Sequence, residues 1–374
     1  MSAAYHKIIP ALGKLIVIMH LLRNLNPRRK KIVLIDKSDG FGDIILWLPY
    51  AELFRKRYPE DKYILKVLVF HHNQELLHYL SCIDKLVVIF PYKGRFSWIF
   101  ARAMFWLKNP VDILVYTNNT AFISYDLLIP YQQKKANALV HSKIPFSFED
   151  NNPAVIQCDG MTIYEKYQNA LKAIGVNELP KPFDYSQIAN AAEYPNLPED
   201  YIVICPGASQ ITRQWEPQKF IMLIDCLLQK NTFKVILVGT TKEKPICQRI
   251  KEKVLVSESV FDLCGKTTIS QLFSVIGKSK FLISNDTGTA HIGGVLGVTT
   301  FIISGGGDYG TYVPYPAEKE GKTVFSIFSN NRLCFGCVWS NKDCNKQDKP
   351  APCISDITVA QVLETIEHTF DPLQ

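Results

Sequence analysis

Residues 31–59 have the sequence KIVLIDKSDGFGDIILWLPYAELFRKRYP, and this stretch decides the fold class. It begins with a β-branched apolar run, Lys31–Ile35, which predicts a buried parallel strand. A loop with two glycines, Ser38–Asp43, follows, and the segment Ile44–Tyr58 predicts a helix that Pro59 ends. A strand that passes through a loop into a helix is the repeating unit of a parallel α/β sheet.

The alternation of strands and helices continues along the chain. The next predicted elements are strands at Lys66–Phe70, Lys85–Ile89 and Asp112–Tyr116 and helices at Asn73–Leu80 and Phe96–Leu107. After a linker rich in Ala, Asn and Pro at Ser186–Asp200, they are strands at Tyr201–Cys205, Lys234–Val238, Val260–Leu263, Lys280–Ser284 and Thr299–Ile303, and helices at Pro217–Lys230, from Lys244 and at Ile269–Lys278. This pattern predicts two Rossmann-like, doubly wound domains of the α/β class, with a central cleft between them.

A chain of 374 residues is too long for one ordinary domain. The predicted segments are a basic and apolar N-terminal helix at 1–30, a first Rossmann-like domain at 31–190, a second at 191–352 and a C-terminal helix at 353–374.

The net charge of +7 is concentrated at the N-terminus, because residues 1–31 contain seven Lys and Arg and no acid. The rest of the chain is close to neutral, which argues against a folded body that binds nucleic acid. The apolar run Leu15–Met19 is too short and too interrupted by charge for a transmembrane helix, and no cleavage site for a secretory signal follows it. An apolar helix flanked by cations suits an anionic membrane surface; packing on the protein's own body is the alternative.

Four of the ten cysteines, Cys334, Cys337, Cys344 and Cys353, form the pattern C-x2-C-x6-C-x8-C. Thiolates at such intervals can close a tetrahedral zinc site, although only the first pair has the usual short spacing. Plain structural thiols are the alternative. Without a secretory signal, disulfides are not expected.

The loop Ser38–Asp43 lies at the carboxyl end of the first predicted strand, where ligands bind in doubly wound sheets. It is not a dinucleotide fingerprint, because Ile45 occupies the position of the third glycine. Asp43 stands where the helix begins. It is either a first-turn acid stabilised by the helix dipole or a general base at the lip of the cleft.

Three loops of the second half could bind phosphate. The segment Pro206–Trp215 offers a glycine, hydroxyls and Arg213 ahead of a helix. The loop 239–243 could contact a base or ribose. In the loop 286–291, backbone N–H groups and a helix dipole could bind an anion; a capped turn, with Asp286 as N-cap and His291 packed in the core, is the alternative. Three such loops around one predicted cleft favour a bound nucleotide diphosphate.

The order of these motifs resembles glycosyltransferase family 9, the lipopolysaccharide heptosyltransferases. That family has a loop ending Gly-Asp, then K-R-Y-P, then H-P-G-A-S with a basic residue and Trp, then V-D-T-G-x-x-H-x-A-x-x-L-G-V, and often C-L-x-D-I. The matching segments here are Ser38–Asp43, Lys56–Pro59, Cys205–Ser209 with Arg213–Trp215, Asn285–Val298 and Cys353–Ile357. The resemblance spans about residues 31–370.

The resemblance implies a GT-B fold, a nucleotide-sugar donor, inversion at the anomeric carbon, and neither an essential metal nor a cofactor. It assigns catalytic roles to two residues: Asp43 would deprotonate the acceptor hydroxyl, and Arg213 would stabilise the departing diphosphate. The first domain would bind the acceptor and the second the donor. The residues implied to bind the donor are Lys37, Ser209, Thr212, Gly239, Lys242, Glu243, Asp286, Thr287, Gly288 and His291.

The sequence also departs from the family pattern. Cys205 replaces the usual His before Pro-Gly, and Ser304–Gly310 replaces F-G-P-T-x-P near the expected sugar site. The resemblance nevertheless implies a transferase that moves a sugar, with ADP-heptose as the first candidate donor, onto a lipopolysaccharide core or related glycolipid. The expected protein is a monomer on the cytoplasmic face of the inner membrane. The alternatives are another nucleotide sugar, a nucleotide-sugar epimerase, and a non-enzymatic peripheral membrane protein.

Overall fold

The computed structural model describes residues 30–37, 39–89, 112–116, 138–141, 155–157, 160–316, 318–329, 335–337, 344 and 348–370. The predicted helix at 96–107 lies outside the described residues, and so do Ser38, Cys334 and all of the predicted N-terminal helix except Lys30.

The chain divides into two compact units, Met1–Phe183 and Asp184–Gln374. This boundary precedes the sequence-based one at 190/191 because the start of the predicted linker packs within the second unit. Tyr185 is buried there and stacks on Phe273, with ring centroids 6.4 Å apart.

The first unit contains a parallel sheet built on the strand that opens the fold. Its described strands are β1 (Lys31–Asp36), β2 (Tyr63–Phe70), β3 (Lys85–Ile89), β4 (Ile113–Tyr116), β5 (Ala138–His141) and β6 (Val155–Gln157). They are arranged in the order β3-β2-β1-β4-β5-β6, and every pair is parallel. Strand order therefore reverses between β1 and β4, as expected of a doubly wound sheet.

The helix predicted at 44–58 is two helices joined by a 3₁₀ turn at Leu48–Tyr50. Pro49 explains the interruption, since proline has no N–H to continue the helical hydrogen-bond ladder. The described helices of this unit are α1 (Phe41–Trp47), α2 (Ala51–Arg57), α3 (Gln74–Leu77) and α4 (Ile163–Ala173). A capping box starts α4, in which the Thr162 N–H donates to Glu165 Oε2 at 2.7 Å.

The second unit repeats the same topology. Its described strands are β7 (Tyr201–Cys205), β8 (Lys234–Leu237), β9 (Val260–Asp262), β10 (Leu282–Asn285), β11 (Thr300–Ile303) and β12 (Val324–Ile327). They lie in the order β12-β11-β10-β7-β8-β9, again all parallel. The reversal falls between β7 and β10, and the prediction of two doubly wound parallel sheets is confirmed.

Helices cover this second sheet. They are α5 (Ser186–Ala189), α6 (Pro217–Lys230), α7 (Lys244–Lys253), α8 (Ile269–Gly277), α9 (Gly288–Leu296), α10 (Pro352–Ser355) and α11 (Val359–Phe370). The terminal helix α11 packs on α6 and β12 and contributes Val362 and Ile366 to the hydrophobic core. The buried Trp215 anchors the same core, since its indole N–H donates to the Ile357 carbonyl at 2.8 Å. Of the helices within the described residues, none is long and apolar enough to span a membrane.

Candidate functional site

The switch point of the second sheet brings two of the predicted loops together. Strands β7 and β10 are parallel neighbours, with Cys205 paired to Ser284 near their carboxyl ends. The segments that follow, Pro206–Trp215 and Asp286–His291, therefore leave the same edge of the sheet side by side. In open α/β sheets this is the position at which ligands bind.

Asn285, the last residue of β10, fixes the neighbouring loop. Its fully buried amide donates to the carbonyls of Pro206 at 2.8 Å and Gly207 at 3.2 Å, and its oxygen accepts the Trp215 N–H at 3.0 Å. One side chain thus holds both ends of the segment that carries Arg213. In the sequence, the only sign of this role of Asn285 was that it directly precedes Asp286.

The loop 239–243 touches the same segment through Glu243. The Glu243 carboxylate accepts the Thr240 N–H at 2.6 Å and lies directly over Gly207, where an added Cβ would be 2.2 Å from Oε1. A side chain at position 207 would therefore force Glu243 to move. The structure brings Gly239 and Glu243 to the switch point, while Ser209 and Lys242 are exposed and Thr212 is buried.

Two buried carboxylates and one arginine meet at this edge of the sheet. Asp286 accepts a hydrogen bond from the Ser304 hydroxyl at 2.9 Å, and Asp308 lies 3.3 Å from Arg213 Nη2. The side chain of Asp308 is 4% exposed and that of Arg213 is 27% exposed. The arginine therefore keeps a solvent-facing edge that an anion could reach. Asp308 was missed as a site residue, although it lies in the loop that departs from the family pattern.

The environment of Asp286 favours its protonated form. Burial first, and the neighbouring Asp308 second, raise the pKa of Asp286 to about 7, against the lowering effects of the Ser304 hydrogen bond and Arg213. This carboxyl group can therefore both donate and accept hydrogen bonds near neutral pH, which suits recognition of hydroxyl groups.

Helix α9 begins at Gly288, directly after Thr287. The Thr287 side chain accepts no capping hydrogen bond from the described residues, and its hydroxyl lies 3.3 Å from the Ser284 hydroxyl. The alternative in which Asp286 is the N-cap is therefore wrong, because Thr287 holds that position. An N-terminus without a side-chain cap is suited to an anionic ligand.

His291 lies one turn further along α9 and faces the interior. It is buried, and its Nδ1 is in hydrogen-bond contact with the Tyr315 hydroxyl. On the same helix, an added Cβ at Gly294 would come within 2.7 Å of the Tyr315 ring. His291 is therefore packed in the core, as in the alternative to donor binding. A direct contact between His291 and the donor stays only a prediction.

In the first unit, Lys37 is fully buried. Its ammonium pairs with Asp39, donates to the Tyr167 hydroxyl at 3.2 Å and lies 4.7 Å from the centre of that ring. Burial raises the pKa of Asp39 to about 8; Asp43 also raises it, while Lys37 lowers it. The ammonium group of Lys37 contacts these internal partners. A contact between Lys37 and the donor therefore stays a prediction.

Asp43 lies in the first turn of α1 and is half-buried. Its carbonyl accepts a hydrogen bond from Tyr167 at 2.8 Å, and its carboxylate lies beside Gly40, where an added Cβ would be 2.9 Å from Oδ2. Tyr167, on α4, therefore links Lys37 to the backbone of Asp43. This link could not be predicted from a local pattern, because Tyr167 is 124 residues away from Asp43 along the chain.

The cysteines of the predicted zinc motif are only partly described. Cys344 and Cys353 are buried in the hydrophobic core, and Cys337 is half-buried. Within the described part of the chain these three do not converge as a group of metal ligands. Zinc binding by all four cysteines stays untested, because Cys334 lies outside that part.

Solved structures with this architecture identify the fold. The glycosyl transferase family 9 structure from Veillonella parvula DSM 2008 aligns at 19% identity and a TM-score of 0.63, over 91% of this chain and 97% of that one. Escherichia coli ADP-heptose LPS heptosyltransferase II aligns at 16% identity and a TM-score of 0.59, over 91% and 98%. The protein has the fold of the GT-B glycosyltransferases, as the sequence predicted.

Sequence comparison then shows which proteins the chain resembles. Residues 146–320 match the model of Glycosyltransferase family 9 (heptosyltransferase). Lipopolysaccharide heptosyltransferase 3 of Escherichia coli is 22% identical over 285 residues, which are 73% of this chain and 83% of that protein. This stretch of the chain therefore resembles glycosyltransferase family 9, and the predicted resemblance to the heptosyltransferases is confirmed.

Proposed function

We propose that the protein is an inverting glycosyltransferase of lipopolysaccharide biosynthesis. It moves a sugar from a nucleotide-sugar donor, with ADP-heptose as first candidate, to a lipopolysaccharide-core or related glycolipid acceptor. The observation that carries the proposal is the meeting of Arg213, Asp286 and Asp308 at the β7/β10 switch point, beside the start of α9. The relatives support it, because one is named as a lipopolysaccharide heptosyltransferase and another as an ADP-heptose heptosyltransferase.

The donor binds along the carboxyl edge of the second sheet. Its diphosphate lies on the first turn of α9, at Thr287 and Gly288, within reach of the partly exposed Arg213. Asp286 bonds the sugar hydroxyls. The loop 239–243 contacts the nucleoside, and Glu243 keeps that loop against the phosphate-binding segment.

The reaction is a single displacement. The acceptor hydroxyl oxygen attacks the anomeric carbon while the bond from that carbon to the diphosphate oxygen breaks, which inverts the configuration. Asp43 takes the hydroxyl proton as general base. The nucleoside diphosphate leaves with the bonding electron pair, and Arg213 compensates the growing negative charge.

Transfer proceeds without an essential metal or cofactor. The sequence has no D-x-D motif where the donor is expected to bind, and Arg213 with the helix dipole supplies positive charge there. Activity should therefore survive treatment with EDTA. Loss of activity with EDTA, restored by a divalent ion, would contradict this part of the proposal.

The enzyme works as a monomer on the cytoplasmic face of the inner membrane, held there by the basic and apolar segment 1–30. Deleting residues 1–26 should shift the protein from membranes to the soluble fraction. Unchanged partition would show that this segment is not the anchor.

The donor is identified by thermal-shift screening of the full chain against nucleoside diphosphates and nucleotide sugars. A ligand at about 100 times its Kd stabilises the folded state by about 2.7 kcal/mol, which is readily detected. ADP and ADP-heptose should raise Tm the most. A larger rise in Tm with another nucleotide sugar would identify that compound as the donor instead of ADP-heptose. No change in Tm with any compound would favour a non-enzymatic protein.

A further inference from the structure

A second group of reactive side chains lies at the outer edge of the second sheet. Cys247 is on α7, Asp262 ends β9, and Cys264 follows two residues later. One ligand atom from each, two thiol sulfurs and a carboxylate oxygen, lies within 4.8 Å of the other two. Of the described residues, these three alone form such a cluster of potential metal ligands.

The two thiols lie close together in the interior of the second unit. Both cysteines are fully buried and outside any disulfide. Both sulfur atoms are therefore in the reduced state that metal binding requires.

The closeness of the three ligand atoms suits a divalent cation that displaces the thiol protons. Two thiolates and a carboxylate are suitable ligands for zinc, which binds in tetrahedral sites and tolerates an open fourth position. Asp262 is already oriented, because its Oδ1 accepts the Cys264 N–H at 2.9 Å. Such outer hydrogen bonds are typical of metal-binding carboxylates.

We propose that Cys247, Asp262 and Cys264 bind one Zn²⁺ ion through both sulfurs and a carboxylate oxygen, with water in the fourth position. Binding releases the thiol protons to solvent and involves no redox step. This site is separate from the cysteines of the motif at 334–353.

The site is coupled to the loop 239–243. The Cys264 thiol contacts the Thr240 carbonyl at 3.2 Å, and an added Cβ at Gly239 would lie 3.0 Å from Cys264 Sγ. The Gly265 N–H also donates to the Gly239 carbonyl at 2.8 Å. The ion would therefore stiffen a loop that the proposed function assigns to nucleoside binding, although zinc binding itself does not depend on that function.

The test is a Co²⁺ titration of the full chain in the Cys334→Ser/Cys337→Ser background, which disables the other cysteine motif. Cobalt substitutes for zinc and reports thiolate ligation by absorption. The background protein should develop the spectrum of tetrahedral cobalt with thiolate ligands, and Zn²⁺ should displace the cobalt. No sugar or nucleotide is present, so the result is independent of the proposed function.

Three variants in that background locate the site. Cys247→Ser/Cys264→Ser should abolish the absorption, whereas the matched control Cys82→Ser/Cys226→Ser should keep it. Asp262→Asn keeps both thiols, so its effect cannot be explained by a folding defect caused by loss of the cysteines. This variant should weaken cobalt binding at least about 10-fold. The proposal is overturned if the background protein shows no thiolate–cobalt absorption, or if the Cys247/Cys264 variant retains it.

Discussion

Arg213 and Asp308 form an ion pair across the switch point of the second sheet, with Nη2 3.3 Å from Oδ1. Asp308 belongs to the loop 304–310, which departs from the family pattern. The carboxylate of Asp308 is therefore paired with Arg213, the residue that is proposed to bind the donor's diphosphate. Any anion that binds there must compete with Asp308.

Replacing this competitor should strengthen diphosphate binding. In Asp308→Asn, Arg213 loses a charged partner and the incoming diphosphate loses a repelling charge. A hydrogen bond to a charged group contributes about 1.5–3 kcal/mol, so ADP should bind at least about tenfold more tightly by calorimetry. ADP is chosen because it lacks the transferred sugar of the donor, which Asp308 could bond. Asp348→Asn, on the exposed surface, should leave the Kd unchanged, and weaker binding by Asp308→Asn would refute the competition.

The raised pKa of Asp286 predicts a pH-dependent stability. Since its pKa is about 7 in the folded state and 3.8 is its ordinary value, the folded state binds more protons between these limits. The free energy of unfolding contributed by this group therefore falls as pH rises across that interval. Asp286→Asn removes the effect, so it should raise Tm over the unmutated protein more at about pH 8 than at about pH 5.

Exposed Asp356 provides the matched control. Asp356→Asn should shift Tm by the same small amount at both pH values. An equal or smaller gain for Asp286→Asn at the higher pH would show that Asp286 is ionised throughout this range.

Gly207 and Glu243 should be energetically coupled. In Gly207→Ala, the new methyl group would overlap the Glu243 carboxylate, and overpacking of this kind costs about 1–3 kcal/mol. Glu243→Ala should relieve the overlap, so the double variant should be less destabilised than the sum of the two single changes. Denaturant unfolding of the four proteins measures the coupling, and strict additivity would show that Glu243 moves away without cost. Gly277→Ala, whose Cβ would lie 3.5 Å from its nearest neighbour, is the control.

Local sequence patterns predicted most of the second sheet. Strand β7 and helix α6 have the predicted bounds, because continuous apolar runs and the helix start at Pro217 mark them clearly. The first unit was harder to predict. The α1–α2 segment is split at Pro49, and the capping box of α4 went unrecognised.

The candidate site was predictable only where its residues lie in one loop. Asp286 and Thr287 follow a strand directly, so their place at the sheet edge followed from the pattern. Asp308 and Tyr167 could not be assigned in this way. Their partners, Arg213 and Asp43, are far along the chain, and only the assembled sheets bring them together.

The general-base role of Asp43 is the central claim of the proposed mechanism. The direct test compares the unmutated protein, Asp43→Asn and the exposed-surface control Asp61→Asn in sugar transfer from ADP-heptose to a purified lipopolysaccharide-core acceptor. Calorimetry with ADP is run in parallel. Asp43→Asn should lower kcat at least about 100-fold with an unchanged Kd for ADP, while Asp61→Asn keeps both values. Near-normal transfer by Asp43→Asn would contradict the account.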